Sequence, residues 1–314
     1  MCPHLDLVLL RDAVGSGVCV ERHALRVLDP ATGAVSFLPR NNTDAYSHSS
    51  LVFGRAVSST GGHGEYKVLS LDSTVNPRHP FRVLTVDGSG GTWRPAPRPP
   101  VSIRTFGNGT GVTSKGVIYH LVENTSWSIA AFDLDTEQWW PSLIQGPEPV
   151  RPSIIDGYTH PWRSLAEMNG RLAAVSKTSS TIDIWLLMCS GNWSKQCRVH
   201  MQSFQLHRHN VPSHNLSPLI VKPLSVLDDG KVAFWVCSSI IIATAGLWMY
   251  DPRTETCTHV VAMEKCLNVG VGVYTGNLLR QLSIKSLGWR NFSTISVSKC
   301  SLFDFKLHFE TEAR

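Results

Sequence analysis

The sequence is poor in charge and has no charged clusters. Only 17% of its 314 residues are Asp, Glu, Lys or Arg, whereas 42% are hydrophobic, a balance that excludes an intrinsically disordered chain. The formal net charge is +5, yet no window of the sequence gathers the basic residues into a patch. A nucleic-acid partner is therefore not predicted.

Metal-binding cysteine motifs and a signal peptide are also missing. The eight cysteines are scattered, without the Cys-x-x-Cys spacing of a zinc knuckle or a redox motif. Residues 5–10 are too short for a signal peptide, and Asp6 interrupts them. We expect reduced cysteines in the core, a cytoplasmic or nuclear location, and no glycosylation of the six Asn-x-Ser/Thr sites. These sites begin at Asn41, Asn108, Asn124, Asn192, Asn215 and Asn291.

One uncharged run is long enough to be considered as a membrane-spanning segment. Residues 232–250 contain no charge, and their length approaches the roughly 20 residues that cross a bilayer. The run is rich in β-branched residues, and turn signals flank it at Asp229-Gly230 and Asp251-Pro252. We interpret it as two buried strands, so no membrane partner is predicted.

The chain also lacks any clear amphipathic helix and is organised instead by a repeated corner. An apolar strand ends in an Asp-x-x-Thr or Gly-rich turn, and the strand that follows often contains Trp. Asp side chains accept hydrogen bonds from turn backbone, and Gly permits positive φ, so these corners join hairpin strands. The copies begin at Asp29, Asp133 and Asp251, and looser copies lie at Asp87 and at residues 184–193.

A second turn precedes most of these corners, which gives two hairpins in each repeat. The corners recur about every 46 to 61 residues, the spacing of a four-stranded propeller blade. We predict an all-β fold, a kelch-like β-propeller of about six blades that forms one domain over residues 1–314. Its start has room for an incomplete blade, and residues 271–306 are expected to form a degenerate sixth one. The second turns contain Gly64, Gly116, Gly170 and Gly230.

Three patterns suggest chemistry, but each has a simpler interpretation. Asp133-Leu-Asp135 resembles a phosphatase nucleophile loop, yet the same corner recurs at Asp29 and Asp251 without a second Asp. The glycine-rich residues 107–111 precede a strand pattern rather than a helix that would hold phosphate. Three imidazoles resemble a set of zinc ligands but lack a carboxylate or thiolate at a supporting spacing; they belong to His207, His209 and His214. No catalytic residue, metal or cofactor is predicted.

A long connection is the candidate binding site. Residues 146–164 are Pro-rich and carry aromatic and cationic side chains of the kind that anchor protein interfaces. A packed crossover between blades is the competing interpretation. The candidate partner-binding residues are Tyr158, His160, Trp162 and Arg163.

The ordered motifs resemble the F-box-associated β-propeller of plant F-box proteins. The resemblance covers about residues 5–260, and each motif is weakly specific while their order is moderately so. It rests on residues 7–12, Leu25-Arg-Val-Leu-Asp29-Pro-Ala-Thr-Gly33, Phe37-Leu-Pro39, Glu65-Tyr-Lys-Val-Leu69, Thr92-Trp93-Arg94, Gly116-Val-Ile-Tyr119, Ile129-Ala-Ala-Phe-Asp133 and Leu165-Ala-Glu-Met-Asn-Gly-Arg-Leu172.

The resemblance implies a non-enzymatic module that recognises a protein substrate for a cullin-type ubiquitin ligase. In that family a helical F-box before the propeller binds a Skp-type adaptor, whereas here Met1 already stands at the edge of the first strand. We therefore expect no F-box domain in these residues, and adaptor binding only where an F-box lies upstream. The alternative is a secreted kelch-like carbohydrate-binding or oxidase propeller, suggested by the Trp residues, cysteines and glycosylation sites.

Overall fold

The computed structural model describes an all-β chain folded as a β-propeller. The described residues are 7–11, 25–29, 32–39, 50–57, 64–71, 81–86, 91–104, 111–123, 127–147, 162–178, 180–204, 220–237 and 245–263. Within them the strands form five antiparallel sheets, the blades. Residues 271–306, where a sixth blade was predicted, lie outside the described part, so the observed count is five rather than six.

The blades follow one another along the chain. Blade 1 contains β1 (Val8–Arg11), β2 (Leu25–Leu28) and β3 (Val35–Phe37). Blade 2 contains β4 (Ser50–Arg55), β5 (Tyr66–Leu71), β6 (Phe81–Val86) and β7 (Trp93–Pro95). Blade 3 contains β8 (Val112–Ser114), β9 (Val117–Leu121), β10 (Ser128–Asp133) and β11 (Gln138–Trp139), and β12 (Ile144–Gln145) also pairs with β10.

The last two described blades are the most regular. Blade 4 contains β13 (Trp162–Met168), β14 (Arg171–Lys177), β15 (Thr181–Leu187) and β16 (Trp193–His200), and a short 3-10 helix, Met201–Ser203, follows it. Blade 5 contains β17 (Ile220–Val226), β18 (Val232–Cys237), β19 (Ala245–Asp251) and β20 (Thr256–Met263). The run 232–250 thus forms parts of two paired strands, as predicted, and among described residues no helix is long and apolar enough to cross a bilayer.

Within a four-stranded blade we letter the strands a to d in chain order. Strand a lies innermost, because the a strands of successive blades contact one another. β4 contacts β8, β8 contacts β13, and β13 contacts β17. The a–b turns and the c–d corners lie together at one end of the blades, the turn end. The b–c connections and the starts of the a strands lie at the opposite end, the connection end.

Both predicted kinds of turn are present at the turn end. Gly116, Gly170 and Gly230 have φ values of 79°, 75° and 85°, which glycine adopts without steric cost. At the blade 3 corner the Asp133 carboxylate accepts hydrogen bonds from the backbone N–H groups of Asp135 and Thr136 at 2.8 and 2.9 Å. Asp133 is therefore part of the scaffold, as the recurrence of the corner indicated.

Four apolar clusters lie between successive blades, so blades 2, 3 and 4 are buried on both faces. This explains the unbroken burial along β5, β9 and β14, since a strand that is covered on both sides has no solvent face. Phe132 is fully buried between blades 2 and 3 and packs edge-on against Trp139 at a ring distance of 5.1 Å.

The Trp residues that follow the corners join neighbouring blades. In blades 2, 3 and 4 the indole N–H of the d strand donates to a backbone carbonyl at or just beyond the end of an outer strand of the preceding blade. The three bonds are Trp93 to Pro39 at 2.8 Å, Trp139 to Pro97 at 2.8 Å and Trp193 to Gln145 at 2.7 Å. The recurring Trp therefore supplies a directional bond between blades in addition to apolar area.

Candidate functional site

The exposed aromatic residue of the predicted binding segment lies at the connection end. Trp162 is the first residue of β13 and pairs across the sheet with Lys177, the last residue of β14. The side chain of Trp162 is 57% exposed. Because aromatic side chains of this size are usually covered, an exposed Trp at the start of an inner strand marks a surface suited to a partner.

Trp162 and Arg163 belong to a strand, which corrects the prediction that the whole of residues 146–164 is a loop. Both residues pair with β14, Trp162 with Lys177 and Arg163 with Ser176. The strand begins directly after Pro161, a residue that cannot donate to a sheet ladder. Tyr158 and His160, the other two candidates, lie outside the described residues, so their place relative to Trp162 stays a prediction.

Arg163 extends toward blade 3 and stacks on a buried aromatic ring. Its guanidinium carbon lies 5.2 Å from the ring centre of Trp127, which is only 4% exposed. Trp127 is held in place because its backbone carbonyl accepts a hydrogen bond from the N–H of Gly146 at 2.6 Å. The stacked geometry fixes the position of the Arg163 charge at the boundary between two blades.

A second arginine reinforces the positive charge beside Arg163. The backbone N–H of Arg104 donates to the carbonyl of Leu121 at 2.7 Å, which ties Arg104 to the end of β9. Burial lowers the pKa of Arg163, and the nearby Arg104 charge lowers it further. An anionic group placed between two neighbouring guanidinium groups would relieve that repulsion.

Lys177 adds a third cation at this end, on the blade 4 face that bears Trp162. Its pKa is lowered by burial, since a desolvated ammonium is less stable than a hydrated one. Two acidic side chains lie toward this end: Glu123 accepts a hydrogen bond from the Ser102 hydroxyl at 3.0 Å, and the buried Asp183 is ion-paired with Lys195 and Arg198. The described side chains here are thus aromatic and mainly cationic, and we call Trp162, Arg163, Trp127, Arg104 and Lys177 the connection-end cluster.

Sequence reasoning found Trp162 and Arg163 but missed the other three members of the cluster. Trp127 and Arg104 come from blade 3, and Lys177 comes from the second strand of blade 4. These positions are 14 to 59 residues from Trp162 or Arg163 along the chain. No spacing in the sequence joins them, because the packing of one blade on the next decides which strand ends meet.

The other chemical patterns give no site in the described part of the chain. His207, His209 and His214 lie outside it, as do residues 107–110 of the glycine-rich segment. Gly111 is described, and a methyl group there would overlap the His120 ring, so this glycine allows close packing. Among the described residues no group of three or more His, Cys, Asp or Glu could hold a metal ion.

His120 is a buried polar residue that the sequence did not single out. It is fully buried in β9, and neither ring nitrogen makes a hydrogen bond with described residues. Burial lowers the pKa of His120 to about 4, although the nearby backbone of Arg104 opposes this effect. The imidazole is therefore neutral at pH 7 and packs as a core side chain.

Three cysteines whose side chains the structure describes have free thiols. Cys197 is buried, Cys257 is half-buried and Cys189 is exposed. Burial raises the pKa of Cys197 to about 11 and that of Cys257 to about 12. Both thiols are protonated near neutral pH and therefore weakly nucleophilic.

Comparison with known proteins gives distant structural likeness only. No protein-family model matches the sequence, and no curated protein matches it significantly. Among solved structures, a Bacteroides fragilis protein assigned as a 6-phosphogluconolactonase is 12% identical with a TM-score of 0.45, over 82% of this chain and 81% of that one.

Two further solved structures show a weaker likeness. A puromycin-hydrolysing peptidase of Mycobacterium tuberculosis is 14% identical with a TM-score of 0.35, over 79% of this chain and 35% of that one. A mutant of AofleA from Arthrobotrys oligospora is 13% identical with a TM-score of 0.39, over 81% and 70%. At such identities and scores these likenesses carry no argument about activity.

Proposed function

We propose that this chain is a protein-recognition propeller that acts by binding, and that its connection-end cluster holds an acidic segment of a protein partner. The observation that carries the proposal is a strand end that bears the exposed Trp162, at 57%, on one face of β13 and Arg163, stacked on Trp127, on the other. An aromatic anchor next to positioned guanidinium groups is the combination that dominates binding energy in many protein interfaces.

Charge supports an acidic partner. Arg104 and Arg163 are close enough for one charge to lower the pKa of the other, so a carboxylate would gain from both. Lys177 adds a partly desolvated ammonium on the neighbouring strand. The acidic residues of the turn end, in contrast, are engaged in corners and ion pairs, as Asp133 and Glu137 illustrate.

The ordered sequence motifs support a more specific form of the proposal. Because they resemble the F-box-associated propeller, we propose that the partner is a protein selected for ubiquitination in the cytoplasm or nucleus. A Skp-type adaptor would then bind only through a helical F-box joined upstream of this propeller. This specific form rests on the resemblance, whereas the binding surface rests on the residues of the connection-end cluster.

Affinity capture with matched Trp variants tests the surface. The intact chain, Trp162→Ala and Trp140→Ala are compared in extracts of the source organism, and retained proteins are quantified by mass spectrometry. Trp140 is a suitable control because it is also exposed, at 37%, but lies on the outer part of blade 3. We expect specific partners to fall at least about tenfold with Trp162→Ala and to persist with Trp140→Ala.

Salt and charge reversal sharpen the test. Capture of the same partners should weaken as ionic strength rises, and Arg104→Glu should abolish it, because the acidic segment would then face a like charge. Equal capture by the intact chain and Trp162→Ala would reject this surface. Unchanged capture by Arg104→Glu would reject an acidic partner. Ubiquitination of the captured protein, with an F-box joined to the chain, tests the specific form separately.

A further inference from the structure

The a–b turn of blade 4 consists of Asn169 and Gly170. Met168 pairs with Arg171 across it, so these two residues alone connect β13 to β14. Their φ values are 53° and 75°, and two positive values in succession are typical of a type I′ turn. Asparagine enters the left-handed conformation more readily than most side chains, which explains its place at the first position of the turn.

The side chain of Asn169 leaves its own blade and bonds to blade 5. Its amide nitrogen Nδ2 donates to the carbonyl of Val226 at 2.6 Å. Its oxygen Oδ1 accepts from the backbone N–H of Val226 at 2.9 Å and from the hydroxyl of Ser225 at 3.1 Å. We call these three hydrogen bonds the Asn169 contact. They join the turn of blade 4 to the last two residues of β17, the inner strand of blade 5.

The Asn169 contact requires an amide at position 169. The amide offers a donor and an acceptor, which match the C=O and N–H of Val226, whereas a carboxylate offers acceptors only. A carboxylate here would direct an oxygen at the Val226 carbonyl, and two oxygens without a hydrogen between them repel each other. A change of this amide to an acid therefore weakens the joint between blades 4 and 5.

Asn-Gly is also the dipeptide in which that change occurs most readily, because glycine has no side chain to hinder it. The backbone nitrogen of Gly170 would attack Cγ of Asn169. The N–Cγ bond forms, the Cγ–Nδ2 bond breaks, and ammonia leaves with the proton lost from the Gly170 nitrogen. Water then opens the cyclic imide to give aspartate or isoaspartate. Asn169 is exposed, so water reaches it.

The folded conformation of the turn opposes this attack. In the left-handed conformation ψ is about +47°, which places the Gly170 nitrogen opposite to Cβ of Asn169, so ring closure requires a rotation of more than about 100°. The N–H of Gly170 donates to the Glu167 carboxylate, which holds the peptide plane in place. The Asn169 contact in turn holds Cγ toward blade 5. Deamidation therefore requires that the turn first open and release blade 5.

We propose that Asn169 is a gated deamidation site, whose amide reacts only when the Asn169 contact opens. Once the amide has become a carboxylate, the contact cannot re-form completely, and blades 4 and 5 stay more loosely joined at the turn end. This inference concerns the turn end and does not depend on the proposed binding function.

Deamidation rates of the intact chain test the gate. The protein is incubated in mildly alkaline buffer, folded or unfolded in urea, and aspartate and isoaspartate at position 169 are quantified by peptide mass spectrometry. We expect Asn169 to react at least about tenfold more slowly in the folded chain than in urea. Asn108-Gly109, the same dipeptide, gives the reference rate in the urea sample. Equal rates at Asn169 in both samples would overturn the proposal, as would an unreactive Asn169 beside a reactive Asn108 in urea.

A pair of hydroxyl variants shows whether the Asn169 contact sets the rate. Ser225→Ala removes one of its bonds and should speed the reaction at Asn169 in the folded chain by about fivefold. Thr254→Ala is the matched control, because it removes a comparable hydroxyl bond, to Thr256 at 2.8 Å, at the corner of the same blade. It should leave the rate unchanged. Equal rates in the two variants would overturn the proposal, because general stability would then control the reaction.

Asn169→Asp reproduces one reaction product directly. We expect it to lower the melting midpoint of the intact chain by about 3 °C, because the bond from Nδ2 to the Val226 carbonyl is lost. A midpoint equal to that of the unchanged chain would contradict the proposed loosening of blades 4 and 5.

Discussion

The two ends of the propeller use their polar side chains in opposite ways. At the turn end, buried or half-buried charges are satisfied. Lys67 is 5% exposed, and its ammonium bonds to the Leu134 carbonyl at 2.7 Å and to Glu137 at 2.9 Å. Arg94 binds the same carboxylate, and together these cations lower the pKa of Glu137 although burial opposes them. The turn end is thus stabilised by polar groups that serve the fold.

At the connection end, cationic and aromatic side chains are held in place by contacts with the fold. Arg163 is stacked on Trp127 beside another arginine, and Trp162 is left exposed. Beneath this surface, His120 and the hydroxyl of Ser50 are buried without a hydrogen bond to described residues. The turn end thus pairs its buried charges, whereas the connection end carries an exposed indole and closely spaced cations, on which the proposed binding site rests.

Acidification should lower the free energy of unfolding because of the buried His120, and this is the largest effect we expect. The pKa of His120 is about 4 in the folded protein against an ordinary value of 6.5, so between these values the unfolded chain binds a proton that the folded protein excludes. Stability is therefore lost as pH falls from about 6.5 to about 4, by about 3 kcal/mol in all. Urea unfolding at several pH values measures it.

Two methionine variants isolate the contribution of that histidine. His120→Met should be less sensitive than the wild type between pH 6.5 and 4, because the titrating group is gone. His200→Met is the control, since His200 is exposed at the end of β16, and it should keep the wild-type pH dependence. Identical pH profiles for wild type and His120→Met would contradict the assignment.

Removing the Glu137 carboxylate, which is paired with Lys67 at the turn end, should give the next largest loss of stability. Glu137→Ala leaves Lys67 buried with the Leu134 carbonyl alone, and we expect a loss of about 2 kcal/mol in the free energy of unfolding. This is below the loss for a fully buried pair, because the Glu137 side chain keeps 23% exposure. Glu123→Ala at the connection end should cost less than about 0.5 kcal/mol. Equal losses would remove the contrast between the ends.

The hydrogen bond from the Trp139 indole to the Pro97 carbonyl joins two blades, and its loss should have a smaller effect on stability. Trp139→Phe keeps an aromatic ring but removes the indole donor to Pro97, and should cost about 1 kcal/mol. Trp140→Phe changes the neighbouring residue, which is 37% exposed and contacts Tyr119 edge-on, and should cost less than about 0.5 kcal/mol. Chemical denaturation of both variants compares them, and a larger loss for Trp140→Phe would show that the donor contributes little.

The smallest change in stability should accompany the proposed loss of binding. Trp162→Ala removes a side chain that is 57% exposed, so the free energy of unfolding should change by less than about 0.5 kcal/mol. A thermal melt beside the capture experiment checks this. A large destabilisation would show that Trp162 serves the fold, as the Trp residues that join blades do.

Much of the architecture could be predicted because it is encoded locally. The corners at Asp29, Asp133 and Asp251 were read from turn chemistry, and the structure confirms each of them. The uncharged run 232–250 was correctly divided into two strands. The start of β13 was not predicted. Trp162 and Arg163 belong to the strand because they pair with β14, and the register of that pairing is not evident from the local composition.

The candidate site was predicted only in part. Trp162 was recognisable as an aromatic residue in a Pro-rich segment, but nothing in the sequence tied it to Trp127, Arg104 or Lys177. Nor did any pattern separate the exposed Trp162 from Trp139, whose indole donates to the preceding blade. Exposure depends on which blade covers a strand end, and that is a property of packing.

The sequence by itself determined the all-β repeat, because turn chemistry and strand periodicity act over a few residues and survive in any context. Only the tertiary structure decided which ends of the strands meet, which Trp residues join blades, and which end brings Arg104 close to Arg163. Those outcomes arise when blades pack face to face, which brings together groups that are far apart in the chain. The Trp139 indole N–H donates to the Pro97 carbonyl at 2.8 Å, and the Arg163 guanidinium carbon lies 5.2 Å from the Trp127 ring centre. Local rules thus specify the blades, and their packing specifies the surface that can bind.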